Sequence, residues 1–433
     1  MLDFRPPLDS PLLLWWCKTF FPIYMKFPLG DLTISIEKGA LERFHQINGE
    51  RAMICPNHSN RHDPQTMFAF SREAKEYFNF VAAREIFDYD GGRNGWWVQH
   101  AGGYSIVRGA ADRESFKTTR RILAEGKKKL VLFPEGEVSR QNDTLMTLES
   151  GAAQLCFWAL SDLDKNLGGL SNQKPGDSPA KIDATGRSAT IFILPMALKY
   201  IFPYDISGAL RKSLEKLEAK VGLKPAAEAA LQPRLMAVCE RLLTTLEKEY
   251  ELKVRDDATM NDRVKVLRLH ILQSVASKLK VELPPDGKEL EYVRILRNKV
   301  DDFIYQDDKN SSSYERSVHE EKQNSYRAYY RDIGRVINFV AIYAGYVSEH
   351  MTQERFSDVI ERLEVEILGG EPSIKGPREV LIDIGQPIDL SQYYDDYKTH
   401  KKETITKVTE EVAAQISAML VKLEESRKPI YLA

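Results

Sequence analysis

The sequence predicts an α/β fold, in which a mixed, mostly parallel sheet is flanked by helices, together with a large all-helical region. Short apolar runs such as residues 52–55 and 130–133 alternate with helical patterns, as in proteins built on parallel strands. Between residues 206 and 370, apolar side chains follow helical spacing almost throughout. An alternating strand pattern returns at residues 379–388, and a long amphipathic helix follows it.

Six strands and three helices are expected before residue 206. The strands are predicted at residues 32–36, 51–55, 77–82, 102–107, 130–133 and 190–194, from apolar or alternating patterns. One helix is predicted to begin at Asp63-Pro64, one to cover 116–123 and stop near Gly126, and one to cover 151–160. Pro195 is expected to stop the last strand. Residues 162–188, rich in Gly, Ser, Asn and Pro, predict an exposed loop.

Composition excludes several classes of protein. The chain has 433 residues, with 61 Lys and Arg against 63 Asp and Glu, so the net charge of −2 gives nucleic-acid binding no electrostatic support. The four cysteines are far apart and form no CxxC pair, which argues against a zinc site or a disulfide framework. We therefore expect the protein to reside in a reducing compartment.

The N-terminal residues 1–30 predict an amphipathic segment at a membrane interface. Residues 11–29 read PLLLWWCKTFFPIYMKFPL, but two Lys and two Pro interrupt the run, so it does not meet the requirement for a spanning helix of about 20 apolar residues. It also lacks the features of a signal peptide. The aromatic side chains of Trp15, Trp16, Phe20, Phe21 and Tyr24 suit the bilayer interface. The alternative is that they pack on the protein's own core.

His58 and Asp63 are the first candidate catalytic residues. Both follow the apolar run at 52–55, and the carboxyl ends of such strands are where open α/β sheets carry their sites. Imidazole can take a proton from a hydroxyl near neutral pH, and a carboxylate on its other nitrogen fixes the tautomer. Three alternatives remain open at this point: Asp63 is only a helix cap, His58 is a satisfied turn histidine, or both ligate a metal together with His62.

The order of the motifs resembles the glycerolipid acyltransferase family of lysophosphatidate and glycerol-3-phosphate acyltransferases. The resemblance lies in His58 and Asp63 separated by four residues, in Gly102–Arg108, in Phe133-Pro134-Glu135-Gly136 and in Ile193–Ala197. It covers residues 30–205 and 378–425. Two departures are Ser105, where the family commonly has an aromatic residue, and Glu137–Arg140, where members often have Thr-Arg-Ser.

The resemblance implies roles for these residues. His58 is the general base and Asp63 orients it, while the substrate-binding residues are Arg108, Glu135, Gly136, Ser139, Arg140 and Pro195. In the family a closing strand and a long helix end the catalytic domain. The chain then divides into a catalytic core at 31–205, a helical insertion at 206–370 and a closing strand and helix at 371–433. The alternative is an independent second domain that includes residues 379–388.

The implied function is transfer of a fatty acyl group from acyl-CoA or acyl-ACP to the hydroxyl of a phosphate-bearing glycerolipid, foremost 1-acylglycerol-3-phosphate, which yields phosphatidic acid. No metal and no bound cofactor are expected. The partners are the acceptor, the acyl donor and a membrane surface on its cytoplasmic side, with no nucleic acid. Alternatives are a lyso-phospholipid or other lipid acyltransferase, a catalytically inactive membrane-binding protein on the same fold, and a metal hydrolase.

Overall fold

The computed structural model describes residues 3–107, 112–166, 186–225, 229–253, 257–304, 326–339 and 351–432. Its first half contains, in chain order, α1 (Pro11–Lys26), β1 (Leu32–Ile36), α2 (Ala40–His45), β2 (Ala52–Pro56), α3 (Asp63–Glu73), β3 (Phe78–Ala83), a 3₁₀ segment (Arg84–Gly92), α4 (Arg93–His100), β4 (Gly103–Ile106), α5 (Arg113–Glu125), β5 (Lys129–Val131), α6 (Gly151–Asn166) and β6 (Phe192–Ile201). Each expected strand and helix is present, with shifts of its ends.

The second half is mostly helical. It contains α7 (Ser207–Lys220), α8 (Leu231–Glu249), α9 (Met260–Leu279), α10 (Glu289–Ile304), α11 (326–339), α12 (Gln353–Ile367), β7 (Arg378–Ile384), β8 (Ile388–Asp389), a 3₁₀ turn (Leu390–Tyr393), α13 (Tyr394–Thr399) and α14 (Lys401–Glu425). The apolar faces of α7 to α12 share a core around Leu210, Leu235 and Leu267, in keeping with the helical spacing.

In the described residues the strands form one eight-stranded sheet in the order β1–β7–β6–β2–β5–β3–β4, with β8 also paired to β6. All neighbouring strands are parallel except β6 with β7 and with β8. Helices α1, α2 and α3 pack on one face, and α5, α6 and α14 pack on the other. The predicted mixed, mostly parallel sheet flanked by helices is confirmed.

The prediction that Pro195 stops its strand is wrong, because β6 continues to Ile201. The carbonyl of Pro195 accepts a hydrogen bond from the Gly385 N–H, so the Pro195 nitrogen faces the same side of the strand. On that side the partner is interrupted between Ile384 of β7 and Ile388 of β8. A proline is tolerated there because no ladder hydrogen bond needs its missing N–H.

Three other boundaries differ from expectation. The strand expected at 379–388 is split into β7 and β8. The strand expected at 130–133 ends at Val131, so Phe133 already belongs to a loop. Helix α6 extends to Asn166, beyond the start of the loop expected at 162–188, of which residues 167–185 lie outside the described chain.

Helix α5 stops where the sequence predicts. It ends at Glu125, and Gly126 follows with a left-handed φ of +62°. A Cβ at this position would lie 2.6 Å from Cγ of Arg51. Both constraints favour glycine.

Strand β7 joins the two halves of the chain. It pairs in parallel with β1 and antiparallel with β6, so residues on both sides of the helical region build one sheet. The exact domain limits at 205 and 370 stay a prediction. In the part of the chain that the structure describes, no helix is both long and apolar enough to cross a membrane.

Candidate active site

The candidate site lies in the loops that follow β2 and β5. Asn57 comes directly after β2, and its side chain extends the pairing of the sheet: Nδ2 donates to the Leu198 carbonyl at 3.0 Å and Oδ1 accepts from the Leu198 N–H at 2.7 Å. Asn57 is 1% exposed. These two bonds attach the loop to β6 and thereby fix the backbone from which His58 projects.

His58 and Asp63 form a direct hydrogen bond. Nδ1 of His58 lies 2.8 Å from Oδ2 of Asp63, and the Asp63 side chain is fully buried. Because a carboxylate only accepts, Nδ1 carries a proton, and in the neutral imidazole Nε2 then keeps its lone pair. The His58 side chain is 15% exposed, and none of the described residues hydrogen-bonds Nε2. This is the arrangement that a general base requires.

The Asp63 carboxylate accepts hydrogen bonds from two residues besides His58. Its Oδ2 also accepts from the Asn60 N–H at 2.9 Å, and its Oδ1 accepts from the Tyr200 hydroxyl at 2.7 Å. The N-cap position of α3 is His62, and Asp63 is the first residue of the helix. Asp63 therefore faces His58 at the start of the helix and is not its N-cap residue. Burial and the neighbouring Asp63 hold the pKa of Tyr200 well above its usual value, so the phenol remains a donor.

Glu135 holds the His58 backbone. Its Oε1 accepts from the His58 N–H at 2.5 Å and its Oε2 accepts from the Met146 N–H at 3.0 Å. Burial raises the pKa of Glu135 to about 7, against the effect of these two N–H donors, which favour the charged form. Phe133, two residues earlier, stacks on the His58 ring with centroids 4.2 Å apart and an interplanar angle of 22°.

The turn after Glu135 contacts the same loop. The Ser139 N–H donates to the His58 carbonyl at 2.7 Å. Gly136 has a φ of +72°, and a Cβ there would lie 2.6 Å from Oε1 of Glu149. Arg362 of α12 donates to the carbonyls of Ser139 and Arg140. The helical region thus holds the turn in place.

Arg140 is the cation of this turn. It has a left-handed φ of +50°, and burial lowers the pKa of its guanidinium. Its charged neighbours are the carboxylates of Glu361, Glu371 and Asp358 and the guanidinium of Arg61. No side chain in the described residues hydrogen-bonds the Arg140 guanidinium.

Two predicted site residues remain, Arg108 and Pro195. Arg108 lies outside the described residues. Pro195 is buried inside β6, opposite Cys55 of β2 in the strand register.

His62 turns toward Arg378, whose Nη2 lies 2.8 Å from the His62 Nδ1. Burial, followed by the charges of Arg378 and Arg61, lowers the pKa of His62 to about 3. A guanidinium at this nitrogen disfavours a metal cation at the same place. Across the described ranges, no group of three or more His, Cys, Asp or Glu side chains is arranged to hold a metal ion. Whether the reaction is metal-independent stays a prediction.

Sequence reasoning missed Tyr200 and Asn57. Asn57 stands directly between β2 and His58, and its polar side chain after an apolar run was an available signal. Tyr200 gave no signal, because it reaches Asp63 only through the pairing of β6 beside β2.

The comparison with known families finds a match in this part of the chain. A family model described as Acyltransferase matches residues 35–167, which include β2, the His58 loop and the Glu135 turn. No curated protein matches the chain significantly. A lipid acyltransferase is the activity that this family supports. Residues 35–167 are an acyltransferase domain of the glycerolipid acyltransferase family.

Proposed function

We propose that the protein is a lipid O-acyltransferase in which His58 is the general base. The observation that carries the proposal is the 2.8 Å bond from His58 Nδ1 to the buried Asp63, which leaves Nε2 available at a partly exposed position. The acyltransferase domain at 35–167 supports the reaction class.

The proposed reaction starts from the neutral His58 ring, with a proton on Nδ1 and none on Nε2. Nε2 of His58 takes the proton of the acceptor hydroxyl while the hydroxyl oxygen attacks the thioester carbonyl. The tetrahedral intermediate expels the thiolate, which takes the proton back from the imidazolium, so an ester and a thiol are formed. No protein nucleophile is needed, because a thioester is already activated. Asp63 stabilises the transient imidazolium.

We propose a phosphate-bearing glycerolipid, foremost 1-acylglycerol-3-phosphate, as the acceptor. Arg140 follows Ser139, which is bonded to the His58 backbone, and Arg61 follows His58 by three residues. A guanidinium offers a fork of donors that matches a phosphate. Arg108 remains a second proposed phosphate ligand on sequence grounds. Glu135 and Gly136 shape the turn, and Ser139 fixes its distance from His58.

The proposed donor is acyl-CoA or acyl-ACP, with no bound cofactor. Both carry the acyl chain as a thioester, so the chemistry at His58 is the same for either.

A membrane surface is the proposed partner. Helix α1 exposes Trp15, Trp16 and Phe20, and the exposed Trp97 of α4 stacks on Trp16 with ring centroids 6.4 Å apart. Aromatic rings of this kind favour the headgroup region of a bilayer. We place the protein peripherally on the cytoplasmic face.

The test is a transfer assay with a matched set of acceptors. Wild type receives long-chain acyl-CoA or acyl-ACP with 1-acylglycerol-3-phosphate, glycerol-3-phosphate, lyso-phosphatidylcholine or monoacylglycerol, and products are identified by mass spectrometry. Arg140→Gln is expected to raise the KM for the phosphate-bearing acceptor about 10-fold or more, which corresponds to a lost charge-assisted bond. Arg241→Gln, at an exposed position on α8, is the control.

The same assay tests the alternatives. Product from lyso-phosphatidylcholine alone would replace the acceptor and retain the reaction class. Vesicle binding without product from any donor and acceptor pair would favour the catalytically inactive membrane protein and contradict the proposal.

A further inference from the structure

A cavity of about 730 Å³ lies where the helical region meets the α/β part. Its walls come from the loop at 145–151, from α10 and from α14. Specific small-molecule sites have volumes in this range. The cavity is open to solvent along α14, where Thr406 and Ser417 are exposed.

The cavity adjoins the candidate active site through Glu135. Met146 lines the cavity, and its N–H donates to Oε2 of Glu135. The other oxygen of the same carboxylate accepts from the His58 N–H. Glu137, two residues after Glu135, also lines the cavity. The buried Glu135 carboxylate therefore lies between Met146 of the cavity wall and the backbone of His58, so the cavity is one side chain away from the candidate active site.

The lining combines apolar and hydrogen-bonding groups. Leu145, Leu148 and Ala413 provide apolar surface, while Thr406, Thr409 and Asn298 provide hydroxyl and amide groups. A bare hydrocarbon chain would leave those polar groups without partners, which is costly. A narrow chain that carries its own amides and hydroxyls fits better.

Two arginines of α10 complete the wall. Arg294 pairs with Glu149 at 3.0 Å, and Arg297 pairs with Glu137. Among the described residues, the Nε of Arg297 is buried and has no hydrogen-bond partner. A buried donor gains free energy when an acceptor reaches it. A ligand acceptor, such as an amide carbonyl or a phosphate oxygen, would satisfy it.

We propose that this cavity binds the phosphopantetheine arm of the acyl donor, so that α10 of the helical region takes part in donor binding. This inference rests on the proposed acyl transfer. The arm has amides, a hydroxyl and a terminal phosphate, and its thioester end would lie toward Glu135. The arm is common to acyl-CoA and acyl-ACP, and the helical region thereby gains a function beyond holding the Ser139–Arg140 turn.

Binding is measured apart from catalysis in the full chain carrying His58→Ala. Isothermal titration uses CoA, palmitoyl-CoA and palmitoyl-ACP as three separate probes. Ala413→Trp fills the cavity from α14, and Ala414→Trp places the same ring at the next, exposed position as a matched control. We expect Ala413→Trp to raise the Kd for CoA at least 10-fold, whereas Ala414→Trp leaves it unchanged. Thr406→Trp, from an exposed cavity position, gives the same test with less risk to folding.

The probes also separate the two donor sources. If the parent protein binds palmitoyl-ACP but not CoA, and the cavity variants weaken this binding, the result supports the arm site and identifies the carrier protein as the donor. Equal affinities of the parent, Ala413→Trp and Thr406→Trp for every probe that binds would overturn the inference. If transfer by the otherwise wild-type enzyme persists with an unchanged donor KM in both variants, the cavity assignment fails while the proposed function stands. Absence of both binding and transfer contradicts both.

Discussion

Tyr200 donates a 2.7 Å hydrogen bond to Asp63 from a position 137 residues further along the chain. Both side chains are buried, and the second contact of the Tyr200 hydroxyl is Thr66 Oγ1 at 2.9 Å. Asp63 therefore has one oxygen fixed by β6 and the other directed at His58. The bond ties the orientation of the proposed base to the central sheet.

Removing the Tyr200 hydroxyl tests this link. We expect Tyr200→Phe to lower kcat about 10-fold with little change in either KM, because the loss of one positioning bond to Asp63 affects the chemical step. The free energy of unfolding should fall by about 1–3 kcal/mol, since a buried carboxylate loses a donor. Tyr394→Phe is the control, because its hydroxyl also bonds an aspartate, Asp164, at 3.1 Å but outside the site. An equal loss of kcat in both variants would contradict the link.

Glu135 predicts a pH-dependent contribution to stability. Burial raises the pKa of Glu135 to about 7, so the native state binds a proton more tightly than the unfolded state. The contribution is fully present below about pH 4.5 and is lost as the pH rises through about 7. Urea denaturation measures the free energy of unfolding of wild type and of Glu135→Gln. We expect the value for wild type minus the value for the variant to be larger at pH 4.5 than at pH 8. A difference that is constant, or that grows with pH, would refute this.

His62 predicts a pH-dependent contribution to stability of the opposite sign, between about pH 3 and 6.5. Its pKa is lowered to about 3, so the unfolded state takes up a proton below about pH 6.5 while the native state does not. Wild type should lose stability relative to His62→Asn as the pH falls from 6.5 toward 3. Asparagine keeps an acceptor for Arg378, which bonds Nδ1 of His62. Parallel stability curves for the two proteins would show that His62 does not titrate as described.

The exposed aromatic side chains of α1 predict binding to vesicles. Trp15 and Phe20 are 59% and 43% exposed, and their joint replacement by Ser should reduce co-sedimentation with anionic vesicles about 10-fold or more, since each ring contributes interfacial free energy. Val266→Ser, 51% exposed on α9, serves as the control. Unchanged sedimentation of the double variant would leave α1 without a membrane role.

Local patterns predicted most of the fold. Leu32–Ile36 and the stop of α5 at Gly126 follow from short-range periodicity and from the backbone freedom of glycine. The prediction that Pro195 ends its strand was wrong because a proline ends a strand only where its missing N–H is needed for pairing. At Pro195 the gap between β7 and β8, in a distant part of the chain, removes that need. The end of β5 at Val131 was missed because Phe133 is apolar for another reason: it stacks on His58.

Residue patterns alone paired only those parts of the site that are close in sequence, whereas the family resemblance linked His58 to the distant turn at Glu135. His58 and Asp63 lie five positions apart, so a single turn brings them together. Tyr200, Arg378 and Arg362 meet the site through strand order and helix docking, which no local pattern encodes. The helical part of the chain gave no indication that it would hold the Ser139–Arg140 turn.

The most direct measurement compares purified wild type and His58→Ala in acyl transfer to 1-acylglycerol-3-phosphate and to the related acceptors, with equal folding established by circular dichroism. Long-chain acyl-CoA and acyl-ACP serve as donors, and acylated product is quantified by mass spectrometry. We predict product with wild type and a loss of about 10²–10⁴-fold in kcat with the variant, the range that general-base catalysis supplies. Transfer that persists undiminished in His58→Ala would contradict the central claim.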